Sequence, residues 1–159
     1  MTNAWLILTV HWVHVVSGVI FGGGILVAAL GIWPALLRLP APQARAAFQA
    51  MEAAMPKVMA PSGILAIVLG ILRGTWLGPI DSWAALFGSA YGWTFLLAIA
   101  AVLFVMIHGG MARSRLERHV WDGDQWRPGA TAAVWRMNLP SVAAMVVLLT
   151  CMVAMRFGW

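Results

Sequence analysis

Residues 4–37 read AWLILTVHWVHVVSGVIFGGGILVAALGIWPALL, a run with no Asp, Glu, Lys or Arg. Apart from its tryptophans, the polar side chains are Thr9, His11, His14 and Ser17. A bilayer core about 30 Å thick is crossed by roughly 20 apolar residues in a helix. The run shows no apolar–polar alternation, and lipid offers the backbone no hydrogen-bonding partner but itself, so a helix is the reading. Three further stretches are of the same kind: about 58–77, 90–111 and 139–157. Together they predict an all-α fold, a four-helix bundle embedded in a membrane and forming a single domain over 1–159.

Composition agrees with this. Of the 159 residues 62% are hydrophobic and 9% charged, where a soluble domain carries roughly a quarter charged residues. The formal net charge of +5 does not indicate nucleic acid, because the basic residues flank the apolar runs instead of forming one patch. They read as topology signals. Arg38, Arg45 and Lys57 lie between the first two spans, and Arg113, Arg115, Arg118, Arg127 and Arg136 between the last two, against Arg73 and Arg156 on the opposite side. The expectation is a multi-pass protein of the cell inner membrane with both termini outside the cytoplasm. Met1 to Asn3 carries no Lys or Arg, which argues against a cleavable signal peptide.

The connections are short. Residues 43–55 read as an amphipathic helix lying in the interface, with Phe48, Met51 and Met55 on one side and Arg45, Gln49 and Glu52 elsewhere. The hydrophilic segment 112–136 reads as a cytoplasmic loop into which the third helix continues for two turns, turning at Asp122 to Asp124 and Pro128. Trp5, Trp33, Trp76, Trp83, Trp93, Trp135 and Trp159 fall near helix ends, where amphipathic rings anchor among headgroups. The single cysteine, Cys151, sits within the last span, so an internal disulfide and a cysteine metal cluster are both excluded.

Ionisable groups inside a membrane are costly, so each is a functional candidate. His11 and His14 are three apart in the first span, on a face that continues through Gly18 and Gly22 with Gly23 and Gly24 beside it. Two readings stand. The small-xxx-small pair Gly18 and Gly22 lets two helices approach closely, or the smooth groove accepts a flat porphyrin beside a ligating imidazole. His14 and His108 are each either iron ligands or buried imidazoles bonded to a neighbouring helix. The stripe leading to His108, formed by Thr94, Leu97, Ala101 and Phe104, has the spacing of a bundle core. Arg73, near the outer end of the second span, either snorkels or pairs with propionates. Met145, Met152 and Met155 are packing residues or thioether ligands for iron or copper. His119, in the charged loop beside Arg118, reads as solvated. The five acids, Glu52, Asp81, Glu117, Asp122 and Asp124, lie in loops or on surface helices, so no hydrolytic constellation forms at one depth.

Four patches carry a resemblance. His14-Val-Val-Ser-Gly-Val-Ile-Phe-Gly-Gly-Gly resembles the first-helix signature of the HemJ-like and CopD-like membrane proteins. Met59-Ala60-Pro61 resembles their Met-x-Pro, and Ile107-His108-Gly109 their Tyr-His-Gly. Arg136-Met137-Asn138-Leu139-Pro140 resembles their Arg-x-x-Asn-Glu-x-Pro. The patches come in family order and span nearly the whole chain. HemJ-type proteins are four-helix haem b membrane proteins linked to protoporphyrinogen oxidation, and CopD-type proteins are linked to copper handling. The resemblance therefore implies a haem or metal site and carries over His14 and His108. Two departures mark a diverged relative. The lysine that the HemJ family places before its third-helix histidine is replaced by Leu97 or a neighbour, none basic, and the fourth-helix motif is one residue short and lacks its acid. Both argue against protoporphyrinogen oxidase activity.

Depth separates the two histidines. Trp33 and Pro34 mark the inner boundary of the first span, about 30 Å from His14 at 1.5 Å per residue, and His108 lies near that boundary. The expectation is a haem b in the outer half, held by His14 or His11 with a sixth ligand from the last helix, a partner chain or nothing. His108, with Lys57 and Asn138 near the same surface, forms a second site or a hydrogen-bond cluster. The function expected is a redox one, electron transfer or an oxidase-like reaction linked to porphyrin or quinol, with an enzyme left open. The alternatives are a copper or metal transport component, and a non-catalytic subunit of a larger membrane complex. The partners expected are the lipid bilayer and a homo-oligomer or such a complex.

Overall fold

A computed structural model describes residues 4–159, apart from the side chain of Arg113. Four helices in it are long and apolar enough to cross a membrane: Ala4–Leu36, Ala41–Gly74, Ala90–Ala112 and Ala130–Arg156. Their outward surfaces carry Leu8, Val19, Val68, Ile107, Leu139 and Val153, all exposed, as contact with a bilayer requires. The signal-peptide argument rests on Met1 to Asn3, which lie outside the described residues.

The first span is built from α1 (Ala4–Val27), a π turn (Ala28–Ile32) and the short α2 (Trp33–Leu36). The π turn is closed by the N–H of Trp33 on the carbonyl of Ala28, one residue further back than in an α-helix. In an unbroken α-helix Trp33 would stand about 120° around the axis from Phe21. The residue absorbed by the π turn brings it to within about 20°, and both side chains are buried. The turn also lies where Pro34, without an N–H, interrupts the ordinary ladder.

The second span and the amphipathic segment before it form one continuous helix, α3 (Ala41–Gly74), with Pro56 and Pro61 inside it. A separate interfacial helix over 43–55 is therefore not formed. Ala44 and Phe48 are buried because they pack beneath aromatic rings of the other connection, and burying them there is worth more than laying them on a headgroup surface. After a short α4 (Trp83–Gly88), α5 runs over Ala90–Val120 and α6 over Ala130–Arg156. The expected loop over 112–136 shrinks accordingly to a two-stranded hairpin, β1 (Trp121–Asp122) paired antiparallel with β2 (Gln125–Trp126), and a turn at Gly129. The side chain of Ser89 caps α5 by accepting the N–H of Gly92 at 2.9 Å.

The closest packing is within two antiparallel pairs, α1 with α3 and α5 with α6. At the end where α2 meets α3 and α5 meets α6, the pairs are joined by a dense cap. Trp33, Phe48 and Trp121 stand 5.0 to 5.8 Å apart between ring centroids, and Trp126 stacks on Trp121 at 5.5 Å. Three polar contacts bind the hairpin to this cluster. The Trp126 indole donates to the carbonyl of Leu39 at 3.2 Å, Arg45 to that of Gly123 at 2.8 Å, and Arg127 to that of Trp121 at 2.8 Å. Trp33, expected as a headgroup anchor, is a core residue at 4% exposure, whereas Trp5, Trp76, Trp83 and Trp159 are exposed. At the other end, which holds Ala4 and Arg156, a cavity lies between the pairs, and Phe95 of α5 packs on Gly74 of α3.

Candidate functional site

The cavity has a volume of about 510 Å³ and is lined by all four long helices, within the roughly 300–1,000 Å³ usual for small-molecule sites. Its floor is the mid-bundle cluster of Phe21, Val102, Val105 and Met145. Its walls are apolar and include Gly18, Ala66, Gly70, Phe95, Ala98 and Leu148; its polar side chains include His11, His14, Arg73, Tyr91 and Arg156. The open end is the only part where positive charge and imidazole meet an apolar interior among these lining residues.

His14 is held by α3. Its Nδ1 donates to the carbonyl of Ala66 at 2.8 Å, since a carbonyl can only accept. The proton is thereby placed on Nδ1, and Nε2 keeps a lone pair with no protein partner among the described residues. A backbone carbonyl on the far nitrogen is the usual way a ligating histidine is oriented. Gly70, one turn beyond Ala66, supplies the space for the ring: a Cβ there would lie 2.9 Å from His14 Cε1. The same register recurs one heptad inward, where Phe21 fills the space over Gly63. His14 and Phe21 are seven residues apart, as are Gly63 and Gly70, so ring meets glycine twice along an antiparallel pair.

Of the glycines on the His11 face, Gly18 opens on nothing within 4 Å, whereas Gly22 receives the methyl group of Met145. The pair thus divides between the two readings of the sequence: Gly18 lines open space and Gly22 is a packing contact that closes the floor. Arg73 lines the cavity from α3; its Nη1 donates to the carbonyl of Leu77 at 2.7 Å, and its Nε is buried without a partner. A buried guanidinium nitrogen with no acceptor is costly, and an anion in the cavity would satisfy it. Tyr91, Met155 and Arg156 share the lining.

Five candidate residues are therefore brought together: His11, His14, Gly18, Gly22 and Arg73. His108 is not among them. Its Nδ1 is hydrogen-bonded to the Ser141 hydroxyl at 3.0 Å and its ring stacks on Phe104 at 5.1 Å, on the cap side of the floor. The stripe leading to it is not the core face: Leu97 and Phe104 are exposed, and Phe95, Ala98, Val102 and Val105 are buried instead. Asn138, near the same end, has a buried amide nitrogen without a partner. Among the described residues no three His, Cys, Asp or Glu side chains come together as a metal-binding group. A porphyrin brings four nitrogens of its own and asks the protein for one or two.

Gly70, Tyr91 and the position of Arg156 at the cavity were not singled out in the sequence. The first was detectable, since the paired seven-residue spacings align glycine with ring; the others depend on which helix faces meet the cavity once the four helices pack. The chain matches no family model, no curated protein and no solved structure.

Proposed function

We propose that this chain is a haem b-binding membrane protein with a redox role, a diverged relative of the HemJ-like and CopD-like proteins. The observation that carries this reading is His14: an imidazole held through Nδ1 by the carbonyl of Ala66, on a residue that lines a largely apolar cavity. Bound there, haem b would supply a one-electron iron couple in a site of low polarity. His14 would hold the iron. Gly18, bare of side chain, leaves room for the flat ring, and Phe21 with Met145 closes the space beneath it. Arg73 and Arg156 would take the propionates, the first with a guanidinium nitrogen that lacks an acceptor. Apolar walls exclude water and strengthen each of these contacts. The basic residues of the cap end support a cytoplasmic position for that end in an inner membrane, with the cavity and both termini on the opposite side.

An absorption spectrum of the purified protein, oxidised and reduced, tests the reading. A Soret band that weakens at least several-fold in His14→Ala is expected; a colourless preparation, or a band indifferent to the substitution, rejects it.

A second reading, a copper transport component, is favoured by one observation: Met145, Met152 and Met155 line the cavity together with His11 and His14. Thioether and imidazole suit Cu(I). Metal analysis separates the two, because copper without porphyrin selects the second.

A further inference from the structure

The contact between Gly22 and Met145 closes the seam between α1 and α6 at the floor of the cavity. From there the two helices run in opposite chain directions to the open end. Val19 is three residues from Gly22 and Leu149 four from Met145, so the two stand about 4.5 and 6 Å above that contact. On α1, His14 and Phe21 turn towards α3, about 80° and 100° to one side of Gly22, and Val19 lies about 60° to the other. On α6, Ser141 turns towards His108 of α5, about 40° to one side of Met145, and Leu149 lies about 40° to the other. Both residues are thus on the outward side of the seam, and both are exposed, Val19 at 67% and Leu149 at 46%. Yet both line the cavity. Side chains that face outward and also wall the cavity mark an opening in the flank of the bundle. Val15, one turn nearer the open end, is likewise exposed and lining. Outside, an apolar groove of about 310 Å³ on α6, lined by Val146, Leu149, Thr150 and Val153, shares Leu149 with the cavity; the Thr150 hydroxyl in it is occupied, donating to the carbonyl of Val146 at 2.8 Å. The charged groups stand further up. His11 and Arg156 are each eleven residues from the Gly22–Met145 contact, about 16 Å above it, and Arg73, three residues beyond the glycine that seats His14, reaches the same level.

We propose that the opening between α1 and α6 is a lateral mouth, through which the cavity takes its haem from the bilayer and not from water. This rests on the haem reading above. The macrocycle of haem is apolar and its propionates are charged. Passing edge-on between Val19 and Leu149 keeps the ring among apolar side chains throughout, whereas entry by the open end carries it past His11, Arg73 and Arg156, whose hydration it would displace. The propionates meanwhile travel at the level of the two arginines. A metal ion carried in water gains nothing from such a mouth.

The experiment uses the whole protein in phosphatidylcholine vesicles. Haemin supplied in the same lipid is taken up by the haem-free protein, and haem is lost from the loaded protein to empty vesicles; both are followed at the Soret band. In Val19→Trp/Leu149→Trp, which fills the mouth, uptake and loss slow several-fold and by the same factor, with the band position and the final occupancy unchanged, because a gate alters rates and not affinity. Val19→Ala/Leu149→Ala widens the mouth and speeds both, which keeps the test decisive if the tryptophan pair does not fold. Val68→Trp, on the exposed outer face of α3, leaves both rates as in the wild type. Rates unchanged in the mouth variants, an altered occupancy with rates unchanged, or equal slowing in Val68→Trp overturns the proposal while the His14-dependent band stands. Absence of haem from the wild type, or haem indifferent to His14→Ala, overturns the haem reading and this proposal together.

Discussion

His14 owes its orientation to two atoms that are not side chains, the carbonyl oxygen of Ala66 and the missing Cβ of Gly70. The first chooses the tautomer; the second leaves room for the ring beside α3. Gly70→Ala puts a methyl group 2.9 Å from Cε1 of the imidazole, so the ring must turn or the helices must part. An expected cost of about 1–3 kcal/mol follows for overpacking of this kind, read as a lowered midpoint in a detergent unfolding series and, on the haem reading proposed above, as a weaker Soret band. Gly18→Ala is the contrasting case. Nothing lies within 4 Å of that position, so the unfolding midpoint should hold or rise, as alanine is the better helix former. If both substitutions lower the midpoint equally, the assignment of Gly70 as the seat of the ring is wrong.

At the scale of elements, the cap and the cavity divide the work. The extension of α3 back to Ala41 and of α5 on to Val120 brings Phe48, Trp33 and Trp121 together, and the hairpin of β1 and β2 is tied over them through Arg45, Arg127 and Trp126. Such a clamp joins the helix pairs at one end, while the cavity lies between them at the other. Phe48→Ala removes a ring from a site 4% exposed, with an expected loss of about 3–5 kcal/mol. Thermal unfolding in detergent should show it, while on the proposed haem reading the absorption spectrum of the protein still folded stays unchanged. A spectrum altered at low temperature would mean that cap and cavity are coupled more tightly than two separate packing units.

For the whole molecule, the distribution of charge and the location of the cavity lead to one orientation. The cap end carries Arg38, Arg45, Arg115, Arg118, Arg127 and Arg136, whereas Arg73 and Arg156 stand at the cavity. Cytoplasmic loops retain Lys and Arg. A reporter fused after Trp159 that works only outside the cytoplasm should therefore be active, and one inserted at Gly123 silent; the reverse pattern would place the cavity on the cytoplasmic side and withdraw the inside assignment of the cap.

Four long apolar runs and their helical state were determined by the sequence itself, because lipid leaves a chain of this composition no other way to satisfy its backbone. His14 and Arg73 could likewise be marked from cost alone, since each polar group in an apolar span demands a reason, and Gly18 and Gly22 from their spacing on the face of His11 and His14. Tertiary structure decided the rest. Whether residues 43–55 lie on a surface or continue α3 depends on partners distant in the chain, Trp33 and Trp121, which no local pattern contains. The phase of Trp33 depends on one residue absorbed in a π turn, and the packed layer that lies between His14 and His108, whose different depths were already legible, on contacts among α1, α5 and α6. Periodicity along one helix specifies a face, but which face meets which, and at what depth, is set only when the helices pack.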